Sequence, residues 1–488
     1  MDSAADDHRD DARMPTGEAS ADDARATASP TGAVERAHAP AELEQGSATS
    51  PASSGFRGLA RRLGGRLIRW PLAAIFVVSA VIGLLFITRG TAVQRVQGVG
   101  ADGVPLAPGD PGFPIAVAVL TGTLIVEGNR VELALNGDGT YPRLWADLRA
   151  AQQLITVQMY YAAPGRVADS LAAILGERAR AGVRVFLLYD AFGSSLPDDY
   201  LERLRSDGVR TVAFRPLRFL NLWVVQNRSH VRGVVVDGRI GWTGGFGIDD
   251  KWLGDARTPG EWRETNVRFE GPAVMQLQSA FVAAWTEATG ELFTGRGVVS
   301  TYEGGVARAG LLYTAPTLGS TPAERYLALS IAGARQRLYI TNAYFAPDRN
   351  FVALLTRAAR RGVDVRILVG GPLTDVPIAR LAGHARYDSL LSAGVRVYEY
   401  QPTTLHAKTF VADGVWASVG TMNFDNRSLA LNDESTLMVL DSAAGLRMEE
   451  LFMDDLRESK EIDLATFRRR PWTRRVAEWA ADQLTRLL

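Results

Sequence analysis

The sequence predicts an α/β protein made of two similar lobes. Three observations support this. The same order of β-like and helix-like segments occurs twice, each copy carries a histidine motif at the equivalent place, and 47% apolar residues in a chain of 488 can form more than one core. A long internal repeat indicates a duplicated structural unit. We therefore expect a first lobe over residues 113–300 and a second over 301–488.

Each copy reads strand, helix, strand, helix, strand. The first copy contains LITVQMYYAAP (154–164), an Ala/Leu/Arg-rich segment, and ARAGVRVFLLYD (179–190). The second contains RLYITNAYFAP (337–347), a similar helical segment, and ARRGVDVRILVGGP (359–372). Later, DGVRTVAF and AGVRVYEY each place a turn glycine before a β-branched run. This alternation predicts parallel strands joined by crossover helices.

The region before the lobes predicts a membrane anchor. Residues 1–55 are rich in Ala, Asp, Ser, Thr and Pro and are expected to be a disordered tail. A basic segment (56–69) follows, and then an uncharged apolar run (70–88) whose length of about 28 Å matches a bilayer core. We expect a single transmembrane helix over 70–88 and a linker over 89–112. A buried core helix is the alternative for the apolar run.

Arginines around the apolar run predict its orientation. Five precede it closely, at 57, 61, 62, 66 and 69, and two follow it, at 89 and 95. Positively charged flanks favour the cytoplasmic side. The tail is therefore expected in the cytoplasm and the lobes outside the cell membrane.

Composition removes several classes of protein. Lys plus Arg and Asp plus Glu both number 54, so the basic excess typical of nucleic-acid binding is missing and no nucleic-acid partner is expected. The absence of cysteine excludes thiolate metal sites and cysteine nucleophiles. Lysine occurs only at Lys251, Lys408 and Lys460, and histidine only at five positions. Catalytic lysines and histidines must come from these eight residues.

Two of the five histidines occupy the same position of the repeat. NRSHVRGVVVDGRIGWTGGFGIDD in the first copy aligns with TTLHAKTFVADGVWASVGTMNFDNRS in the second. The alignment pairs residues that are 176 positions apart: His230 with His406, Arg232 with Lys408, Asp237 with Asp413, and Gly244 with Gly420. A histidine and a cation two residues later point to the same face of a strand. Each motif can therefore present both groups to one anion.

This pairing suits phosphoryl transfer. One imidazole can attack phosphorus while the other donates a proton to the leaving oxygen, and the cations stabilise the charge on phosphate. Each imidazole needs an acid that fixes its tautomer. Glu264 in WRETNVRF and Glu434 in LNDESTLMV are the candidates. For each of them, a solvated carboxylate at a strand end is the alternative.

At this point the sequence resembles the phospholipase D superfamily, and within it the bacterial cardiolipin synthases. The segment from His406, HAKTFVADGVWASVGTMNFDNRSLALNDE, matches the signature HxKx4Dx6GSxN with Thr421 in place of serine. LLYDAFGS, GRIGWTGG and LLSAGVRVYEYQP are also similar to cardiolipin synthase segments. The similarity extends from about residue 125 to the end of the chain.

The resemblance implies one active site at the lobe interface, with no metal and no cofactor. It implies that His230 is the nucleophile and His406 the general acid. The catalytic set is His230, Arg232, Glu264, His406, Lys408 and Glu434; the phosphate-binding set is Arg232, Lys408, Thr421 and Asn423; and the structural motif residues are Asp237, Gly244, Gly245, Asp413 and Gly420.

The first copy departs from the family pattern twice. Arg232 stands where the pattern has lysine, and Gly247 stands where the second copy has Asn423. Arginine binds phosphate with a planar fork and lysine binds it as a point charge. A degenerate, non-catalytic lipid-binding protein is therefore an alternative to an active enzyme.

The expected function is phosphatidyl transfer from one phosphatidylglycerol to another, giving cardiolipin and glycerol through a phosphohistidine. The anchor and the apolar stretch RFLNLWVVQN before His230 favour a phospholipid substrate and a membrane location. Ordinary core is the alternative for this stretch. Hydrolysis by water, as in a phospholipase D, and cleavage of another phosphodiester, including nucleic acid, are the catalytic alternatives.

Overall fold

The computed structural model describes residues 92–98, 103–216, 226–298, 304–317 and 319–483, together with 73, 76–81 and 84. The predicted tail, the basic segment, most of the predicted transmembrane helix and most of the apolar stretch before His230 lie outside the described residues. Within the part of the chain that the structure describes, no helix is long and apolar enough to cross a membrane. The anchor at 70–88 stays a prediction.

The first half of the fold alternates helices and strands before it ends in antiparallel strands and a long helix. In chain order its elements are α1 (Phe113–Thr121), β1 (Val126–Leu135), α2 (Asn136–Arg149), β2 (Leu154–Met159), α3 (Arg166–Arg180), β3 (Arg184–Asp190), α4 (Asp198–Ser206), β4 (Arg210–Phe214), β5 (Gly233–Val236), β6 (Ile240–Gly244), β7 (Thr265–Glu270) and α5 (Ala273–Thr289).

The second half repeats this order and adds a C-terminal extension. Its elements are β8 (Ala307–Thr314), α6 (Pro322–Gly333), β9 (Arg337–Asn342), α7 (Arg349–Arg360), β10 (Asp364–Gly370), α8 (Pro377–Ser392), β11 (Arg396–Tyr400), β12 (Lys408–Ala412), β13 (Trp416–Gly420), β14 (Glu434–Leu440), α9 (Ser442–Arg457), β15 (Ser459–Glu461), α10 (Leu464–Arg468) and α11 (Trp472–Gln483).

The strands form one sheet whose order reads the same from its centre in both directions. The order is β15-β11-β10-β9-β12-β13-β14-β8-β1-β7-β6-β5-β2-β3-β4. β1 and β8 pair antiparallel at the centre. Outward from them, β7, β6, β5, β2, β3 and β4 correspond to β14, β13, β12, β9, β10 and β11. The duplication read from sequence therefore appears as two matching halves of one α/β sheet.

The predicted parallel strands are present in both halves. β3 pairs parallel with β2 and β4, and β10 pairs parallel with β9 and β11. All six residues of β2 are buried, as expected for a parallel strand covered on both faces. α3, α4, α7 and α8 connect these strands. The strand–helix alternation of the sequence is confirmed.

A tight turn at Asp237 and another at Asp413 fix the strand ends that lie away from the histidines. Both residues have positive φ, 52° and 53°. Each carboxylate accepts three backbone N–H groups: Asp237 from residues 152–154 and Asp413 from residues 335–337, at 2.7–2.9 Å. These bonds tie the turn after β5 to the start of β2 and the turn after β12 to the start of β9. The geometry supports the structural role expected for both aspartates.

Candidate active site

The two histidine motifs meet at one cavity of about 320 Å³. His230 lies just before β5 and His406 just before β12, so the matching strands of the two halves carry them. Backbone bridges between the halves hold both segments, because the His230 N–H donates to Asp433 O and the His406 N–H donates to Arg263 O, each at 2.8 Å. Arg232 and Asn423 also line the cavity. The predicted site residues of both halves thus converge.

Each histidine is held by a glutamate of the other half. Nδ1 of His230 lies 2.9 and 3.0 Å from the two carboxylate oxygens of Glu434, and Nδ1 of His406 lies 2.6 Å from Oε2 of Glu264. All four side chains are buried. A carboxylate oxygen accepts the Nδ1 proton, which leaves Nε2 of each ring free for chemistry. The sequence identified the two glutamates but not this exchange between halves.

Each free imidazole nitrogen lies beside the cation of its own motif. Nη2 of Arg232 is 3.3 Å from Nε2 of His230, and Nζ of Lys408 is 2.9 Å from both ring nitrogens of His406. Both cations are buried. Burial lowers the pKa of Lys408 to about 7 and lowers the pKa of Arg232 as well, although nearby glutamates oppose this. An anion in the cavity would relieve this unfavourable burial of positive charge.

Burial also lowers the pKa of both histidines. The pKa of His406 falls well below its usual value because of burial and the adjacent Lys408 and Arg232 charges. The pKa of His230 is lowered by burial, while the Glu434 charge opposes the shift. Both shifts favour the neutral imidazole near pH 7. A neutral imidazole is the form that attacks phosphorus.

The pKa values of the two glutamates shift in opposite directions. Burial raises the pKa of Glu264 to about 7 despite the Lys408 and Arg232 charges. Burial raises the pKa of Glu434 too, but its contacts with His230 and Thr421 outweigh it and leave the pKa below its usual value. The hydroxyl of Thr421 donates to Oε2 of Glu434 at 2.5 Å. Thr421 was expected to bind phosphate, but in the structure its hydroxyl donates a hydrogen bond to Glu434.

Gly245 is the first-half counterpart of Thr421, and the structure leaves no room there for a side chain. A Cβ at Gly245 would lie 2.2 Å from Oε2 of Glu264. The other motif glycines are also in tight places, since a Cβ at Gly244 or Gly420 would lie 2.3 or 2.4 Å from an oxygen of β7 or β14. The carboxylate of Glu264 therefore packs against the backbone of Gly245, whereas Glu434 accepts a hydrogen bond from the hydroxyl of Thr421.

Gly247 and its counterpart Asn423 differ for a steric reason. A Cβ at Gly247 would lie 2.6 Å from the Trp252 ring, which fills the space. Trp252 is buried and lines the cavity. Oδ1 of Asn423, in contrast, is buried and has no hydrogen-bond partner among the described residues. The second half therefore offers a polar group where the first half offers an indole.

Sequence reasoning missed the aromatic wall of the site. The ring centres of Tyr160 and His230 are 4.9 Å apart in an edge-on contact, and the ring centres of Trp262 and His406 are also 4.9 Å apart. Trp252 lies 5.5 Å from His406, and Lys251 lines the same cavity. The repeat could have identified Lys251. It lies 176 positions before Arg427, which is another cation of the cavity wall.

The site consists of two histidine–cation pairs on a duplicated α/β sheet, and each histidine is held by a glutamate of the other half. This arrangement defines a phospholipase D-like protein. The family model described as "Cardiolipin synthase, PLD-like domain" matches residues 327–456. A cardiolipin synthase of Geobacillus kaustophilus is 34% identical over 358 residues, which cover 72% of this chain and 71% of the relative. Cardiolipin synthase A of Pseudomonas aeruginosa is 35% identical over 349 residues, with 71% of each chain covered. The chain belongs to the cardiolipin synthase family.

A solved structure shares the fold. The crystal structure of phosphatidylserine synthase from Haemophilus influenzae matches with a TM-score of 0.56 and 16% identity, and the match covers 75% of this chain and 97% of that chain. At this level of identity the match supports the fold alone.

Proposed function

We propose that this chain is a membrane-bound phosphatidyltransferase that converts two molecules of phosphatidylglycerol into cardiolipin and glycerol. The observation that carries the proposal is the pair of imidazoles in one cavity, each fixed at Nδ1 by a buried glutamate and each with Nε2 beside a cation. The family relationship supports the lipid substrate, because the relatives are named as cardiolipin synthases.

In the first step Nε2 of His230 attacks the phosphorus of the donor lipid. A nitrogen–phosphorus bond forms, the bond from phosphorus to the glycerol headgroup oxygen breaks, and His406 gives its proton to the leaving glycerol. Binding of the anionic phosphodiester raises the pKa of His406, so that His406 takes up from solvent the proton that it then gives to the leaving oxygen. Arg232 and Lys408 stabilise charge on the non-bridging oxygens. The product is a phosphatidyl-histidine.

In the second step His406 accepts a proton from a hydroxyl of the acceptor phosphatidylglycerol. The hydroxyl oxygen bonds to phosphorus while the nitrogen–phosphorus bond breaks, which releases cardiolipin and restores His230. Glu434 stabilises the imidazolium character that His230 acquires when it is bonded to phosphorus. Asn423 presents its amide to the same phosphate. Water in place of the lipid hydroxyl would give phosphatidic acid.

A membrane location is part of the proposal. Residues 1–55 would lie in the cytoplasm, residues 70–88 would span the membrane, and the lobes would act at its outer face. Helix α11 supports contact with a lipid surface, because Trp472, Val476 and Trp479 are 74%, 52% and 63% exposed at helical spacing. Its opposite side packs inward through the buried Glu478, which accepts a hydrogen bond from Arg470. Tryptophan and arginine on one helix are typical of interfacial helices.

Product analysis tests the function. The purified full-length protein is incubated with phosphatidylglycerol in mixed micelles with a metal chelator, beside His406→Ala. We expect cardiolipin and glycerol from the unaltered protein and neither from the variant. Phosphatidic acid as the sole product would replace the transferase with a hydrolase, and no product from a folded protein would favour the non-catalytic alternative. Thermal unfolding of both proteins establishes that they are folded.

A further inference from the structure

Lys251 is a cation of the cavity wall that the proposed chemistry does not use. It is half-buried, and its Nζ lies 3.5 Å from the ring centre of Tyr161, 4.2 Å from that of Trp262 and 4.7 Å from that of Trp252. Its ammonium forms no hydrogen bond or ion pair with any residue the structure describes. Aromatic faces hold an ammonium in place without neutralising it. Lys251 is therefore a positioned positive charge that no described carboxylate contacts.

The position of Lys251 places it on the His406 side of the cavity. Trp262 and Trp252 contact both the ammonium of Lys251 and the ring of His406. The charge of Lys251 also contributes to lowering the pKa of His406. Lys251 thus lies beside the imidazole that handles the leaving and incoming alcohols.

Arg427, the counterpart of Lys251 in the repeat, also lines the cavity. Its guanidinium donates to the backbone oxygen and the side chain of Gln226 at 3.3 and 3.1 Å. The site therefore has an inner pair of cations that lie beside the histidines, Arg232 and Lys408, and an outer pair on the cavity wall, Lys251 and Arg427. The inner pair already provides two cations for a single phosphodiester in contact with both histidines. The outer pair therefore adds positive charge beyond what one such phosphodiester needs.

Transfer between two phosphatidylglycerols brings two phosphodiesters into the site at once. One is bonded to His230 and occupies the inner cations. The other belongs to the acceptor and lies at the far end of the same glycerol whose hydroxyl is activated by His406. Placing this second anion in a partly desolvated cavity is unfavourable unless a cation meets it. Water and simple alcohols make no such demand.

We propose that Lys251 binds the phosphate of the acceptor lipid and thereby selects an acceptor that carries an anionic phosphodiester over water and neutral alcohols. The inference rests on the proposed transferase function. Lys251 makes and breaks no covalent bond; it contacts the acceptor while the hydroxyl proton passes to His406. Burial, partly offset by the charges of Asp249 and Asp375, lowers the pKa of Lys251 to about 8, so the ammonium form predominates at neutral pH.

A competition between acceptors tests the proposal. Phosphatidylglycerol in mixed micelles is offered together with ethanol, so that one phosphatidyl-histidine gives either cardiolipin or phosphatidylethanol. Lys251→Met keeps an unbranched stem among the aromatic rings and removes the charge. We expect the ratio of cardiolipin to phosphatidylethanol to fall about tenfold in Lys251→Met, as for loss of a charged hydrogen bond. Lys251→Arg should restore most of the ratio.

Lys460→Met is the matched control, because Lys460 is an exposed lysine of β15. Its product ratio should equal that of the unaltered protein. An unchanged ratio in Lys251→Met, or an equal fall of both products, would overturn the acceptor role. If the unaltered protein makes phosphatidylethanol without cardiolipin, the proposed function fails and this inference fails with it. Failure of the inference alone leaves cardiolipin synthesis by the unaltered protein intact.

Discussion

The two halves place matching strands beside the cavity but differ in the side chains of the loops that follow β6 and β13. Thr421 and Asn423 stand in the second half where Gly245 and Gly247 stand in the first. The hydroxyl of Thr421 bonds Glu434, and Asn423 faces the cavity. In the first half the carboxylate of Glu264 and the indole of Trp252 occupy the corresponding space. The duplicated fold therefore accepts different side chains at corresponding positions, provided that other side chains fill the space left in each loop.

The difference gives the two histidines different electrostatic partners. Glu434 has a pKa below its usual value, so His230 faces a full negative charge. Burial raises the pKa of Glu264 to about 7, so His406 faces a carboxyl group that is more easily protonated. A stable anion suits a nucleophile that becomes cationic, and a weak anion suits a residue that must release its proton. The asymmetry supports His230 as nucleophile and His406 as acid and base.

Replacing each histidine with asparagine breaks the comparison most strongly. Both variants should lose at least about 1000-fold of the cardiolipin-forming activity, because each removes an essential group. A lipid with a p-nitrophenol leaving group needs no general acid, so His406→Asn should release a burst of nitrophenol and accumulate labelled phosphatidyl-enzyme. His230→Asn should give neither. A burst from His230→Asn and none from His406→Asn would reverse the assignment.

Glu434→Gln tests the charge behind the nucleophile. We expect kcat to fall about 100-fold or more, because the amide does not stabilise the imidazolium character of His230. The Glu434 charge raises the pKa of His230 and burial lowers it. Removing the charge therefore lowers this pKa further, and the limb of the kcat/KM profile that depends on His230 should move to lower pH. The profile is measured from about pH 5 to 9; a shift to higher pH would contradict the assignment.

Much of this architecture could be read from the sequence because it depends on local patterns. The strand–helix alternation predicted the parallel strands, and the 176-residue offset identified the histidines and the cations that accompany them. Asp237 and Asp413 were expected to be structural, and their turn positions support this. These features follow from the spacing of residues along single strands and turns.

The remaining features depend on contacts between segments distant in sequence. Glu264 and His406 are 142 residues apart, and Glu434 and His230 are 204 apart. Only the mirrored sheet brings each glutamate to the opposite histidine. The sequence also showed Gly247 in the place of Asn423, and the structure shows that Trp252 fills the space which a side chain there would need. The consequence of having glycine at position 247 could therefore be understood only once its contact with Trp252 was known.

Exchanging the cations sharpens the comparison between the halves. Arg232→Lys should lower kcat/KM less than Lys408→Arg does, since a lysine can place one charge at the same phosphate but loses the guanidinium contacts with Gly245 O and the Trp252 ring. Lys408→Arg should cost about tenfold, because Lys408 is buried with Nζ 2.9 Å from Nε2 of His406 and a planar fork is larger than an ammonium. Steady-state kinetics with phosphatidylglycerol measures both. Equal losses would show that the two halves make the same demand on their cations.

Gly247→Asn asks whether the first loop can be given the side chain of the second. The new Cβ would meet the Trp252 ring, so we expect a loss of about 1 to 3 kcal/mol of folding stability, as for an overpacked core. Asn423→Gly is the reverse change and should have a smaller effect on stability, because the Oδ1 of Asn423 has no hydrogen-bond partner among the described residues.

A double-mutant cycle identifies the cause of that loss. Trp252→Ser, which copies Ser428 of the second half, should cost about 3 to 5 kcal/mol alone because it removes a buried indole. Adding Gly247→Asn to Trp252→Ser should then cost less than adding it to the unaltered protein, since the asparagine enters the space that the indole has left. Denaturant unfolding of the four proteins measures the coupling. Additive losses would mean that the indole does not exclude the asparagine, and that the two loops differ for a reason outside this pair.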